Sequence, residues 1–219
     1  SDDVSEDEMR SISSPPMDED AQYYLASDFD GLAELAEKIT TKICSDRDPV
    51  EEPTPAPTTV KTTAEPTTRA TAEPSDCTGA TDIIFVVDRS GSICNDETVF
   101  TCDNWETMLD FMDGLIKDLD VGSDATRVGV IVYGNKAYLE IGLNTYNNGD
   151  DVRDHVETIT YDPNKGTNTS GGILVMIDEF DDNPREDATL IAVIITDGKS
   201  TIDKEDTIDN AEEARDKGI

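Results

Sequence analysis

Three short segments of the 219-residue chain carry side-chain oxygens of the kind that bind metal ions. Residues 88–92, DRSGS, place one carboxylate and two hydroxyls at alternate positions. Residues 165–169, KGTNT, add a further hydroxyl, and residues 196–198, TDG, add a second carboxylate; none of the three segments contains Cys or His. Hard oxygen donors suit a small divalent cation such as Mg²⁺, which prefers octahedral oxygen coordination and keeps several waters.

Two carboxylates and three hydroxyls would leave such a cation under-neutralised. A carboxylate of a protein partner would then bind favourably at a vacant position, which is a mechanism for metal-mediated adhesion. A second interpretation is that Ser90 and Ser92 cap a helix, while Asp88 and Asp197 are solvated turn residues. Each residue taken alone fits the second interpretation better, but the ordered set favours the metal site.

The apolar pattern shows which elements must position these segments. Residues 83–87, 128–133 and 190–195 are apolar runs of the kind expected in strands buried on both faces. DRSGS directly follows the first run and TDG directly follows the third. Open α/β sheets place ligand sites at the carboxyl ends of their strands, so the two carboxylates are expected at one edge of the sheet.

Helices are predicted between these strands, because apolar residues recur there at spacings of three and four. An edge strand is predicted where apolar and more tolerant positions alternate. This alternation of helix and strand indicates an α/β fold with a mainly parallel sheet. The helical stripes are Trp105, Met108, Leu109, Met112, Leu115, Ile116 and Leu119, and Ile173, Leu174, Ile177 and Phe180; the edge strand has Leu139, Ile141 and Leu143.

Four motifs in order, DIIFVVDRSGSI, VGVIVYG, KGTNTSGGI and VIITDGKS, resemble the von Willebrand factor A domain family, whose fold is shared with integrin I domains. The resemblance covers about residues 82–219. It implies a doubly wound, Rossmann-like sheet with helices on both faces and a metal-ion-dependent adhesion site. The implied metal ligands are Asp88, Ser90, Ser92, Thr167 and Asp197. The implied ion is Mg²⁺, or else Mn²⁺ or Ca²⁺, with the hydroxyls binding directly and the aspartates often acting through water.

The N-terminal segment is similar to the other end of such a domain. EMRSISSPP followed by AQYYLASDFDGLAELAEKITTKIC resembles its last two helices and last strand. We therefore predict three regions: 1–44, the tail of a preceding A domain; 45–76, a linker; and 77–219, an A domain that is C-terminally truncated before its last strands and helix. Residues 190–195 would then be an open edge. We hypothesise that the N-terminal strand and helix dock there.

The predicted linker cannot contribute a core, since residues 49–75 contain six prolines and eight threonines. This composition matches mucin-like stalks that carry O-linked glycans, and an unmodified spacer is an equal alternative. The chain has four cysteines but no CxxC motif, which favours disulfides in a secreted protein over a zinc site. We predict a bond between Cys94 and Cys102. By the resemblance, Cys44 and Cys77 would pair outside this fragment, or with each other in its isolated form.

The net charge and the absence of catalytic sequence motifs disfavour several classes of function. With 17 basic and 50 acidic residues the net charge is −33, which disfavours nucleic acid and anionic membranes as partners. No apolar run approaches the roughly 20 residues that span a bilayer. An enzyme is not expected, because the chain has no P-loop, no GxGxxG and no positioned general base.

The leading hypothesis is a secreted adhesion or matrix-assembly module that binds an acidic residue of an extracellular matrix protein, collagen-like or other, through the cation. Neighbouring A domains in the same chain are possible partners. The alternative is an acidic structural protein of a mineralised or shell-type matrix that collects many weakly bound Ca²⁺ ions.

Overall fold

The computed structural model describes residue 8, residues 11–13, residue 32 and residues 79–94, 102–162 and 166–219. The predicted linker, together with Cys44 and Cys77, lies outside the described residues, and the three-region division stays a prediction. Within residues 79–219 helices and strands alternate along the chain. They are β1 (Thr81–Asp88), α1 (Asp103–Lys117), β2 (Thr126–Tyr133), β3 (Ala137–Ile141), α2 (Gly149–Val156), α3 (Thr169–Asp182), β4 (Thr189–Ile195) and α4 (Lys204–Asp216).

The four described strands form one mainly parallel sheet in the order β3-β2-β1-β4. Strand β1 pairs in parallel with both β2 and β4, so that Phe85 lies between Val130 and Val193. Strand β3 is antiparallel to β2. The predicted α/β class with a mainly parallel sheet is confirmed, and the carboxyl ends of β1 and β4 lie side by side.

Helices cover both faces of this sheet. Successive side chains of a strand point to opposite faces, and both faces of β1 are apolar. Phe85 and its same-face neighbours pack in one core cluster with α1 and α2, whereas Ile84 and Val86 pack in a second cluster with α3 and α4. All eight residues of β1 are buried. The doubly wound arrangement is therefore confirmed, and the loop after β1 is held by a strand that cannot shift without disturbing both clusters.

The predicted stripe of the first helix forms most of the buried face of α1, with Trp105 in the core, but Leu109 is only partly buried and Phe111, outside the predicted stripe, is buried. The Trp105 indole N–H donates to the carbonyl of Ile159 at 3.1 Å, so this large side chain is satisfied where it is buried. The prediction that the stripe stays helical as far as Leu119 is wrong. The helix stops at Lys117, with Asp118 as its C-cap, and Leu119 lies beyond it, although it is still buried.

Two other details differ from the sequence prediction. The edge strand β3 ends at Ile141, and Leu143 lies outside it, because the chain turns with the amide of Thr145 donating to Gly142 O at 2.9 Å. In α3, Leu174 is 42% exposed and Met176, 1% exposed, joins the buried face instead. None of the helices among the described residues combines the length and the hydrophobicity that a bilayer span requires.

Candidate metal site

Four of the five predicted ligands meet where β1 and β4 end. Asp88 is the last residue of β1, Ser90 is buried beside it, and Ser92 is exposed at the rim. Asp197 is partly buried two residues after the end of β4. Parallel pairing of β1 with β4 brings these positions together although 109 residues of sequence separate the two aspartates.

A chain of hydrogen bonds joins these four residues. The Ser90 amide donates to Asp88 Oδ1 at 2.8 Å. The Ser92 hydroxyl donates to Asp197 Oδ1 at 3.0 Å, and Ser90 Oγ lies 3.0 Å from Ser92 Oγ. Because a hydroxyl carries one proton and that of Ser92 is given to Asp197, Ser92 can only accept from Ser90. The two carboxylates are therefore linked through the Ser90 amide and the two serine hydroxyls, whose oxygens also carry lone pairs that suit a cation.

Thr167, the fifth predicted ligand, is buried in the loop before α3. Its amide donates to Thr201 Oγ1 at 2.9 Å, and its carbonyl accepts from the Thr201 amide at 2.8 Å. The next residue, Asn168, donates its amide to Gly134 O at 2.9 Å. The structure thus ties this loop to the segments that follow β2 and β4, at the same edge of the sheet. Among the described residues, the hydrogen bonds of Thr167 itself are to residues 200–202 and not to Ser90 or Ser92.

Close approach at the start of α3 explains a glycine there. A Cβ at Gly172 would lie 2.9 Å from Val86 Cγ1 and 3.0 Å from Tyr133 Cδ1, closer than side chains pack. The absence of a side chain lets the first turn of α3 rest on β1 and β2. This packing fixes where the Thr167 loop leaves the sheet.

Sequence reasoning missed the role of Thr196. Its hydroxyl donates to Asp88 Oδ2 at 2.7 Å and accepts from the Gly198 amide at 3.2 Å. Each oxygen of Asp88 therefore has a neutral donor. The TDG motif contained the signal, but only the pairing of β4 beside β1 shows that the threonine and not the aspartate contacts Asp88.

The electrostatics of the site disfavour negative charge while no cation is bound. Burial raises the pKa of Asp88 to about 6, against the opposing effect of its hydrogen bonds from Ser90 and Thr196. The charge of Asp197 raises it further, and burial also raises the pKa of Asp197. A divalent cation would remove this penalty, because an opposite charge nearby favours the ionised form.

The donor chemistry fits a hard cation and limits how it could bind. Within the described ranges, no group of three or more His, Cys, Asp or Glu side chains could hold a metal. Binding at this edge would therefore depend on hydroxyls added to the two carboxylates. Mg²⁺ and Mn²⁺ accept such oxygen sets.

A disulfide underlies the loop that carries the serines. Cys94 is bonded to Cys102, with Cα atoms 5.4 Å apart, and both are buried in the cluster around Trp105. Cys102 is also the N-cap of α1, since its sulfur accepts from the Trp105 amide at 3.4 Å. The Tyr161 ring contacts the Trp105 ring in a tilted arrangement, and its hydroxyl donates to Ser90 O at 2.8 Å. The loop that carries Ser90 and Ser92 is thus anchored to the core around Trp105.

Comparison with known proteins places this geometry in context. Residues 82–219 match the family model of the von Willebrand factor type A domain. The human collagen alpha-1(XXI) chain is 34% identical over 148 residues, which cover 66% of this chain and 14% of the collagen chain. Integrin alpha-1 of Gallus gallus is 31% identical over 128 residues, covering 57% of this chain and 42% of the integrin. Human matrilin-4 is 32% identical over 152 residues, covering 65% and 22%.

Among solved structures, proximal thread matrix protein 1 from the mussel byssus, with a zinc-occupied MIDAS motif, aligns with a TM-score of 0.56 and 25% identity, covering 65% of this chain and 35% of that one. The manganese-loaded TRAP protein of Plasmodium vivax shares the fold, with a TM-score of 0.55 and 19% identity, covering 64% and 55%. The chain spans between 5% and 18% of the first three curated relatives that it matches.

Proposed function

The chain belongs to the von Willebrand factor type A domain family, and we propose that it is a secreted adhesion or matrix-assembly module that binds an acidic group of a protein partner through a divalent cation. The observation that carries the proposal is the buried carboxylate of Asp88, which has neutral hydrogen-bond donors and a raised pKa but takes part in none of the ion pairs among the described residues. A buried anion in this situation is the place where a cation gains most.

The proposed ligands are the side chains of Asp88, Ser90, Ser92, Thr167 and Asp197. When bound, the cation supplies a positive charge and an open coordination position for the partner's carboxylate. The protein's part is to hold the oxygens and to leave one side open. Ser92 is exposed at the rim of the site, so it lies where a partner would approach.

Arg89 is drawn away from the site although it directly follows Asp88. Its guanidinium lies 3.7 Å from the carboxylate of Glu140 and 5.2 Å from the ring centre of Tyr138. A cation–π contact and an ion pair with residues of β3 thus engage this positive charge, and Arg89 makes no ion pair with Asp88 among the described residues. This arrangement leaves the carboxylate available to a metal.

Mg²⁺ is the proposed ion, with Mn²⁺ and Ca²⁺ as alternatives, because the donors are all oxygens. The zinc in the byssus relative supports a divalent cation at the corresponding position. The collagen, integrin and matrilin relatives support an extracellular matrix partner and location. They are also the reason why we propose binding and not catalysis.

Capture from a matrix extract tests this function. We expect the chain to retain a partner in Mg²⁺ or Mn²⁺ and to lose it in chelator. Asp88→Ala should abolish capture, whereas Asp154→Ala, which removes the same charge from an exposed position on α2, should leave it intact. Capture that is equal with and without chelator would contradict the proposal.

A second candidate function rests on the net charge of −33. A polyanion of a mineralised matrix would bind many Ca²⁺ ions weakly and would not depend on Asp88. Equilibrium dialysis with Ca²⁺ separates the two, because many sites unchanged by Asp88→Ala support the polyanion and one Asp88-dependent site supports adhesion.

A further inference from the structure

Strand β4 is less buried than β1 and β2. Every residue of β1 and β2 is buried, whereas the first six of the seven residues of β4 are only partly buried. In the described sheet β4 lies at one edge, beside β1. Exposed sheet edges tend to pair with other chain segments. The residues that lie near β4 therefore indicate what covers this edge.

Two residues from the far N-terminus pack on the core clusters of opposite faces of the sheet. Ile12 packs against the same cluster as Leu190, Ala192 and Ile194 of β4. Leu32 packs against the other cluster, as do Ile191 and Val193 of β4. Ile12 and Leu32 therefore lie on opposite faces of the sheet, each on the cluster that also receives the β4 side chains of that face.

Polar contacts tie the same region to the loop after β4 and to α4. Glu8 accepts the Ser200 amide at 2.8 Å through Oε1. Arg215 donates from Nη1 to the carbonyls of Ser11 at 3.0 Å and Ser13 at 3.4 Å. Glu8, Ser11 and Ile12 have helical backbone, so Arg215 reaches carbonyls at the carboxyl end of a helical turn, where a cation is favoured.

We propose that the N-terminal segment bearing Glu8, Ile12 and Leu32 docks in cis against β4 and forms one folding unit with residues 79–219. The segment is covalently joined to its site through the 46 residues between Leu32 and Gly79. Such a tether holds the two parts at an effective concentration in the millimolar range, which favours docking within one chain. The N-terminal region is then part of this A domain and not an independent unit beside it.

Docking also reaches the metal loop, a consequence that rests on the proposed function. Ser200, whose amide is held by Glu8, directly precedes Thr201, whose amide donates to the carbonyl of Thr167 at 2.8 Å. Glu8 is therefore a positioning residue for the loop that presents Thr167. Removing the carboxylate of Glu8 should loosen Ser200 first and weaken metal binding second.

Hydrogen exchange on the full chain tests the docking without reference to metal. Ile12→Asp and Leu32→Asp should each raise exchange in β4 by about tenfold or more while β1 and β2 stay protected. Ile208→Asp and Leu174→Asp place the same charge on exposed apolar positions and serve as controls. If β4 exchanges equally in the variants and their controls, the docking is wrong.

A milder variant keeps the test valid if the aspartates disturb folding. Glu8→Ala should increase exchange of the Ser200 amide by about tenfold, and Glu8→Gln should restore protection because it keeps an acceptor oxygen. Glu212→Ala, exposed on α4, controls for the lost charge. An unchanged Ser200 amide in Glu8→Ala would overturn the contact.

Two further measurements separate the remaining possibilities. Sedimentation over a wide concentration range should show a monomer with β4 protected throughout. Protection that appears only in a dimer would contradict docking in cis. Metal titration of Glu8→Ala should show weaker binding than wild type; equal binding with a deprotected Ser200 would overturn only the positioning role, and absent binding in wild type would refute the proposed function while leaving the docking intact.

Discussion

The two ends of strand β1 each bury an aspartate, and their surroundings are opposite. Asp82 and Asp88 are both 0% exposed. Asp82 receives Arg127 Nε at 2.8 Å and Arg185 Nη2 at 2.6 Å, so two guanidinium groups compensate its charge. Among the described residues, Asp88 receives hydrogen bonds from neutral donors, including the Ser90 amide and the hydroxyl of Thr196, and makes no ion pair.

This difference distinguishes a structural carboxylate from one available for binding. Burying a charge costs several kcal/mol unless it is paired and hydrogen-bonded. At Asp82 the pairing is complete within the chain, and the same hydrogen bond raises the pKa of Arg127. At Asp88 the cost is visible as a pKa of about 6. The fold therefore compensates the charge at one end of the strand and not at the other, which is the end where we propose that a cation binds.

The largest expected effect is at the paired end. Asp82→Ala leaves the buried Arg127 and the partly buried Arg185 without their carboxylate, and breaking a buried pair in this way costs about 3–5 kcal/mol of unfolding free energy. Urea denaturation in chelator measures the loss. A change below about 1 kcal/mol would mean that the network contributes little and the contrast between the ends is not real.

The next largest effect is the pH dependence of stability that Asp88 causes at the other end of β1. Folding raises the pKa of Asp88 from 3.8 to about 6, so between these values the folded chain keeps a proton that the unfolded chain has lost. The stability from protonated Asp88 is complete below the lower value and is lost as the pH rises toward the higher one.

Asp88→Asn removes this titration while keeping the shape of the side chain. In chelator, its stability relative to wild type should increase by about 2–3 kcal/mol from about pH 4 to pH 7. Urea denaturation across that range provides the measurement. A pH-independent difference between the two chains would show that burial does not perturb Asp88.

The disulfide lies beside the loop that follows Asp88 at the proposed binding end of β1. Replacing Cys94 and Cys102 by serine should cost about 2.5 kcal/mol, from the entropy of closing their loop. Serine at position 102 can still cap α1, so the variant isolates the cross-link. Thermal unfolding of the paired serine variant tests this, and an unchanged midpoint would show that the core already holds the loop.

The smallest effect concerns one hydroxyl. Thr196→Val removes a donor to Asp88 and should cost about 1–2 kcal/mol, because it leaves Asp88 Oδ2 unsatisfied. Thr207→Val is the matched control, since the buried hydroxyl of Thr207 has no hydrogen-bond partner in the described part of the chain. Equal urea midpoints for the two variants would show that the Thr196 hydroxyl does not stabilise Asp88.

Local patterns predicted the strands and the buried stripe of α1, because burial on a regular element leaves a periodic trace in the sequence. They also placed the DRSGS and TDG segments at strand ends. They failed where tertiary contacts decide, as with Leu174, which has the right spacing but is 42% exposed, and Leu143, which is buried beyond β3. The pairing of Asp82 with Arg127 and Arg185 was equally invisible, because 45 and 103 residues separate the partners.

The central claim is that the Asp88 end of β1 binds one divalent cation. Calorimetric titration of metal-free chain with Mn²⁺ at neutral pH tests it directly, with Asp88→Ala and Ser92→Ala beside the Asp154→Ala control. We predict one site in wild type and the control, and none in the two site variants. Equal binding by all four chains would contradict it.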